Sequence, residues 1–545
     1  MKVLLVEPAY KNKYPPMGLM KISTYHKRRN DDVWYYKGKM PDSLLKTLCI
    51  DRVYITTLFT FYYRQSLDTI KYYCKRFVPE SIYVGGIMAT LMEDQLKKDI
   101  PHCKILIGQL TDASVLDIDD HTNIDILPLD YSILDEILYD YPAGDNYISY
   151  TTRGCPNHCS FCAVPILEPN YQFTNNIRIQ LKEVNARFGE KRNLLLLDNN
   201  IFNLSVNELQ ELVNDLQGQG FTKAPTFHTQ SPYDLYLSKK DNPRLHPKVL
   251  KRAIDYLIAS KDRIKRQDDK ATYEQILHEL SLANEQSVYI TEHAEAIQSI
   301  LRRNIASQPL KRYVDFNQGL EAARITPEKM AVLAQLPLRP VRIAFDHYTP
   351  QSVKNYRRAI QIAHDCGINH FSNYMLFNFD DTPDALWERL KINISLAQEL
   401  HISIFSFPMK YMPITKTDRN HIGKFWNKKY LSAISAILNV TKGVVAQGEE
   451  FFNRAFGATL EEYHRILLLP RDFIIYRSFY EKQGLTAKWD QVFYQMSDDD
   501  KEELLHALID HEYSTNNQLV LDLLPFYGET YKYRKVTELK HDRGC

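Results

Sequence analysis

No run of about 18 apolar residues occurs, which excludes a membrane-spanning helix. The opening residues, MKVLLVEPAY, also lack the long apolar stretch of a secretory signal, and a cytoplasmic location is the expectation. Charge of one sign is missing too. Lys and Arg number 68 against 67 Asp and Glu, and a net charge of +1 gives no electrostatic footprint for nucleic acid or an anionic membrane. Cysteine is scarce: eight in 545 residues are too few for a disulfide framework. No internal repeat or low-complexity tract is evident.

What is present is ordinary globular material. Hydrophobic residues at 44% and charged residues at 25% leave ample apolar surface to bury. At 545 residues the chain exceeds the size at which one core stops growing, so two or three domains are expected. Over residues 1–140, KVLLVEP, DDVWYY, DRVYITTL, SIYVGG and CKILIG read as strands with helical stretches between them, such as Gln65 to Phe77. That alternation predicts a doubly wound, Rossmann-like α/β domain. YPAGD at 141–145 reads as a linker.

A second α/β region is expected over 146–415. NYISYTT, RNLLLLDNNIF, VDFNQGLEAARIT, VRIAFDH, HFSNYMLFNF and ISIFSFPMKYM read as strands, with helices at Ser205 to Leu216, Pro327 to Gln335, Ser352 to Cys366 and Asp384 to Leu400. Strand and helix in repetition predict a partial parallel (β/α) barrel with right-handed crossovers. Between about 222 and 312 the rhythm gives way to long polar helical stretches, read as a helical insertion. A C-terminal helical region, 416–545, is rich in aromatics such as FIIYRSFYEKQGL. Core packing accounts for these rings more simply than stacking on bases.

Three of the cysteines cluster, as Cys155-Pro-Asn-His-Cys159-Ser-Phe-Cys162, directly after the strand NYISYTT. Three thiolates on one short loop can bind three irons of a [4Fe–4S] cube and leave the fourth iron open, and an open position marks a catalytic rather than a structural centre. A zinc site, with His158 inside the motif, and a cluster used only for electron transfer or structure are the alternatives. Cys49, Cys74, Cys103, Cys366 and Cys545 are scattered, and buried inert thiols are the expectation for each.

The C-x3-C-x2-C spacing, with Phe161 just before the last cysteine, resembles the radical S-adenosylmethionine (SAM) superfamily. The resemblance implies that Cys155, Cys159 and Cys162 hold the cluster and that SAM chelates the open iron. One electron then cleaves SAM to a 5′-deoxyadenosyl radical. It also implies a one-electron donor such as flavodoxin or ferredoxin, and oxygen sensitivity. His158 then becomes a loop residue near the cluster.

Further site residues follow from the same resemblance. Phe161 belongs to the cofactor surroundings. Asp198 and Asn200, with Asn199 at a strand end, would bind the SAM amino group. Capping of the following turn is the other reading of Asp198. Asn317 and Gln318 would face the SAM carboxylate or substrate, and Arg324 would form a bidentate fork with a carboxylate. Asp346 would bind the ribose hydroxyls, with a capping or turn role as its alternative. NYMLFNFDDTPDALWERL is similar to the segment that packs beside adenine, with Asn378, Phe379, Asp380 and Asp381 where that segment is usually glycine-rich.

KVLLVEP, PPMGLMKISTYHK and YVGGIMAT resemble pieces of cobalamin-binding domains ahead of radical SAM barrels. The Asp-x-His-x-x-Gly loop of such domains is replaced by EPAYKNKYPPMG, without His, and DDHTN at Asp119 to Asn123 comes too late. Cobalamin bound without that ligand, and a domain that has kept its fold and lost the cofactor, both stay open. Gly85 and Gly86 suit either close approach to a nucleotide tail or a tight turn. The implied activity is modification of an unidentified small molecule or peptide, with cobalamin-assisted methylation as one form. A nucleic-acid modifier, disfavoured by charge, and a non-catalytic iron–sulfur scaffold are the alternatives.

Overall fold

The computed structural model describes residues 1–174, 176–241, 246–305, 308–446, 448–510 and 514–528. Cys545 and the last aromatic residues of the C-terminal region lie outside them. The first sheet contains β1 (Lys2–Glu7), β2 (Asp32–Lys37), β3 (Arg52–Thr57), β4 (Ile82–Gly86) and β5 (Lys104–Ile105), in the order β2-β1-β3-β4-β5. Every pairing is parallel, and helices cover both faces. Successive side chains of β1 serve two cores because strand side chains alternate. Val3 and Leu5 face a core that continues into the second region, while Leu4 and Val6 meet Val53, Ile55, Ile82 and Val84 on the other face. The expected strand CKILIG contributes only β5. Leu106 still bonds to Val84, but Gly108 takes a left-handed φ of 66° and turns the chain out of the sheet.

The second region begins with β6 (Tyr147–Ser149) and a small antiparallel pair, β7 (Thr152–Arg153) and β8 (Gln172–Phe173). It continues with β9 (Leu194–Leu196), β10 (Val314–Phe316), β11 (Val341–Arg342), β12 (His370–Phe377) and β13 (Ser403–Lys410). Two three-stranded parallel sheets, β10-β9-β6 and β11-β12-β13, are joined by isolated parallel bridges from Val314 to Leu338 and from Leu320 to Ile343. The six strands thus run as one curved parallel sheet in the order β6-β9-β10-β11-β12-β13, a partial barrel with helices outside. VDFNQGLEAARIT is strand only at its start, because Gly319, at φ 93°, ends β10 in a turn before Leu320 resumes pairing.

The helices Pro232–Lys239, His246–Ala259, Gln267–Leu282, Gln286–Glu292 and Ala294–Asn304 pack around their own core of Tyr233, Tyr236, Leu257, Tyr273, Ile290 and Ile297. Phe227 and Leu310 pair antiparallel where the chain leaves the barrel and returns. From Lys428 onward the described elements are helical. No described helix is long and apolar enough to cross a membrane.

The expectation of isolated, buried thiols needs correcting. Cys49 is exposed, at the left-handed end of the helix Asp42–Leu48. Cys74 and Cys103 lie side by side, because the parallel sheet brings the end of the helix Tyr63–Cys74 against the approach to β5.

Candidate functional site

The three-cysteine loop is anchored before its first cysteine. Asp198, at the carboxyl end of β9, accepts four hydrogen bonds on Oδ1, from the backbone N–H and hydroxyl of Thr151 (2.8 and 2.7 Å) and of Thr152 (2.5 and 2.8 Å). Gly154 then takes φ 73°, and a Cβ there would lie 2.4 Å from the Asn170 carbonyl oxygen, so no side chain fits. Its N–H donates to Glu168 Oε2 at 2.6 Å, and Asn199 donates to the same oxygen at 2.9 Å. Glu168 also pairs with Arg153 at 3.1 Å.

Within the loop, the Cys162 N–H reaches the Cys159 carbonyl at 3.0 Å and the Val164 N–H points at Cys162 Sγ at 3.5 Å. Asn200 Nδ2 lies 3.7 Å from Cys155 Sγ. Cys155 and Cys162 are half-buried, and Cys159 and His158 are exposed. Burial and the neighbouring thiols push the Cys159 thiol upward, and the Asp346 and Glu321 carboxylates add to it; Cys162 rises for the same reasons, without Glu321. Thiols held up in this way need a bound cation to become thiolates together. Among the described residues no three His, Cys, Asp or Glu side chains converge on a single-ion position. A cube places its cysteines on different irons, so it needs no such convergence.

Three buried polar atoms at the carboxyl ends of β9 and β10 have no hydrogen-bond partner: Asp198 Oδ2, Asn200 Oδ1 and Asn317 Nδ2. Unpaired buried polar atoms are uncommon and cost free energy unless something fills them. Asn317 Oδ1 is occupied by the Tyr14 hydroxyl at 2.8 Å, a contact from the N-terminal sheet region into the barrel. Burial keeps the Asp198 carboxyl above the usual range, against the four donors that lower it.

Glu321 is the residue that the sequence reading missed. Its Oε2 accepts from Asn157 in the cysteine loop (2.9 Å), Asn200 (2.6 Å) and Arg324 (2.7 Å). The signal was available, since Glu321 lies inside the singled-out stretch VDFNQGLEAARIT. Arg324 therefore meets a carboxylate of its own chain, through Nε alone, and its NH1 reaches Asn203 at 3.3 Å instead of completing a fork. Glu168 had no such signal, because only the folded loop brings it to Gly154.

Asp346 is half-buried beside Cys159 and Cys162, and burial raises its carboxyl. The buried Arg389 holds its backbone carbonyl at 2.9 Å, along with those of Phe345 and Leu376, and pairs with Asp381 at 2.8 Å. The Phe161 ring lies 5.7 Å from both His347 and Phe379. In the segment that replaces the glycine-rich version, Asn378 takes the left-handed φ of 68° itself, and its side chain bonds to Tyr411, His421 and Gly423. Asn tolerates that conformation through its short polar side chain.

A cavity of about 450 Å³ lies between the N-terminal sheet and the residues that flank the cysteine loop. Gly18, Thr56, Gly85 and Gly86 line one side, and Arg153, Glu168, Asn199 and Gln318 the other. None of the lining residues is a histidine. Gly86 meets the tight-turn reading, with φ 104° and a would-be Cβ 2.2 Å from the Thr57 carbonyl oxygen, although it also bares backbone to the cavity. Lys21 and Arg153 both pair with Asp125, at 3.1 and 3.4 Å. Burial pulls Lys21 down to about 8 despite that carboxylate.

The fold and site define an α/β protein with a doubly wound domain, a partial parallel barrel and a three-cysteine loop at the strand carboxyl ends. No family model and no curated protein matches the chain. Among solved structures it is similar to the radical S-adenosylmethionine methyltransferase TsrM from Kitasatospora setae with cobalamin and [4Fe–4S] cluster bound. Identity is 13%, with 76% of this chain and 77% of that one covered and a TM-score of 0.42. The same enzyme with tryptophan substrate and the SAM analogue aza-SAM matches at 13% identity, with 76% and 75% covered and a TM-score of 0.42.

Proposed function

We propose that the chain is a radical SAM enzyme in which Cys155, Cys159 and Cys162 hold a [4Fe–4S] cluster. The observation that carries this reading is the set of unpaired atoms beside the cysteine loop. Asp198 Oδ2 and Asn200 Oδ1 are acceptors and Asn317 Nδ2 is a donor. Two acceptors suit the α-amino group of SAM and one donor suits its α-carboxylate, so the donor set fits an amino-acid zwitterion. When bound, the cluster and SAM supply one electron and a carbon–sulfur bond whose cleavage yields a 5′-deoxyadenosyl radical. Glu321 and Asn200 hold the loop to β9, Asp346 is the residue for the ribose hydroxyls, and Phe161 and Phe379 wall the adenine side.

The cavity supports a cobalamin-assisted methylation as the form of this chemistry. It opens at the carboxyl ends of β3 and β4 and the start of the helix Met17–Arg28, where doubly wound domains bind ligands, and reaches Asn199 and Gln318 beside the loop. With no histidine lining it, this chain offers the cobalt no imidazole from those residues. The substrate class is a small molecule or peptide, and the electron donor a flavodoxin or ferredoxin.

The test is anaerobic reconstitution with iron and sulfide, then dithionite and SAM, with and without cobalamin. Cysteine-dependent 5′-deoxyadenosine supports the radical reading, and cobalamin-dependent S-adenosylhomocysteine supports methyl transfer. A protein that forms no four-iron cluster, or forms one whose spectrum SAM leaves unchanged, overturns the proposal.

A further inference from the structure

Outside the strand-end site, two nucleophilic side chains converge that are 29 residues apart in sequence. Cys74 Sγ, at the end of the helix Tyr63–Cys74, lies 3.1 Å from Cys103 Sγ, just before β5. Both are half-buried, within reach of a small reagent, and both pack against the core formed by Ile70, Tyr73, Ile82 and Ile100. The contact makes the two thiols unequal. Its hydrogen bond lowers Cys74 below the ordinary thiol value, while the same bond and burial hold Cys103 above it. Lys71, on the same helix, favours the Cys74 thiolate further, and Glu80 disfavours that of Cys103.

We propose that Cys74 and Cys103 form a reversible dithiol–disulfide couple, oxidised by a low-molecular-weight disulfide of the glutathione class. The Cys74 thiolate attacks one sulfur of the oxidant, whose S–S bond breaks and releases one glutathione as thiol. Cys103 then loses its proton and attacks the Cys74 sulfur of the mixed disulfide, releasing the second glutathione. Two protein thiols are oxidised and the glutathione disulfide is reduced to two thiols. The nucleophile is the thiol with the greater thiolate character, and its resolving partner is already in contact.

The bond would staple the helix to the edge of the first sheet. The chain it encloses includes β4 and the cavity-lining Gly85, Gly86, Ile87 and Thr90. Oxidation therefore stiffens one wall of the cavity, and reduction frees it. This couple stands independently of the reading of the three-cysteine loop.

The experiment equilibrates the full-length protein under argon with glutathione at varied thiol-to-disulfide ratios. Free thiols are then blocked with N-ethylmaleimide and a non-reducing digest is mapped by mass spectrometry. The expected product is a Cys74–Cys103 linked peptide two hydrogens lighter, which disappears on adding dithiothreitol. The thermal midpoint should rise by several degrees on oxidation, since closing a loop restricts the unfolded chain. Cys103→Ser should accumulate glutathione on Cys74, and Cys74→Ser should leave Cys103 unmodified. Recovery of both residues alkylated at every ratio, or as separate glutathione adducts in the wild type, overturns the proposal. Should a serine variant fail to fold, the wild-type peptide map decides alone.

Discussion

The two oxygens of Asp198 meet different surroundings, and two substitutions separate them. Asp198→Asn keeps an acceptor for the Thr151 and Thr152 donors but turns the unpaired oxygen into a donor. It should load iron normally and bind SAM at least tenfold more weakly, about the value of one hydrogen bond to a charged group. Asp198→Ala removes the anchor as well and should lose iron, measured as iron per chain alongside a SAM titration. Lys429 gives a second residue-level test. It is half-buried with its ammonium end enclosed, donates to the Leu467 and Leu469 carbonyls at 2.7 and 2.8 Å, and is held down to about 7 by desolvation and Arg471. Between that value and the ordinary 10.5, the unfolded chain binds a proton that the folded chain does not. This group therefore makes stability rise with pH across that window. Lys429→Met should flatten the slope and reduce the stability gained between pH 7 and 10 by on the order of a few kcal/mol, read from denaturant melts.

At the scale of elements, helix starts were readable because capping is local. Ser205 caps the helix Val206–Gln217 in a complete capping box with Glu208, and Thr382 caps Pro383–Glu399. Ser205→Ala should cost about 1 kcal/mol in chemical denaturation and leave cluster content unchanged. The strands were legible as apolar runs, but their ends were not. β10 and β11 shrink to three and two residues because pairing, not hydrophobicity, ends a strand. The cysteine loop could be read from spacing alone. Glu168 could not be read at all, and Glu321 only as one residue of VDFNQGLEAARIT, because their roles depend on chain segments more than ten positions away meeting in space.

At the scale of the whole molecule, the first sheet region and the cysteine loop share charges. Asp125 pairs with both Lys21, from the helix Met17–Arg28, and Arg153, which precedes Gly154 and also meets Glu168. Asp125→Asn leaves Lys21 without its carboxylate in a largely buried place, while Arg153 keeps Glu168, a loss of about 3–5 kcal/mol. Faster proteolysis across residues 141–145, with lower iron content, is the expected outcome in a timed digest of the full chain. A variant that digests at the wild-type rate would show that the two regions hold together without this pair.

The antiparallel pairing of Phe227 with Leu310 has its own consequence. The chain departs and returns at neighbouring points, so the intervening helices form a pendant on a clasp, tied besides through Lys239 to Asp135 and Lys248 to Asp140. A lineage could gain, lose or exchange such a pendant by one event in the gene, without disturbing the order of a single barrel strand.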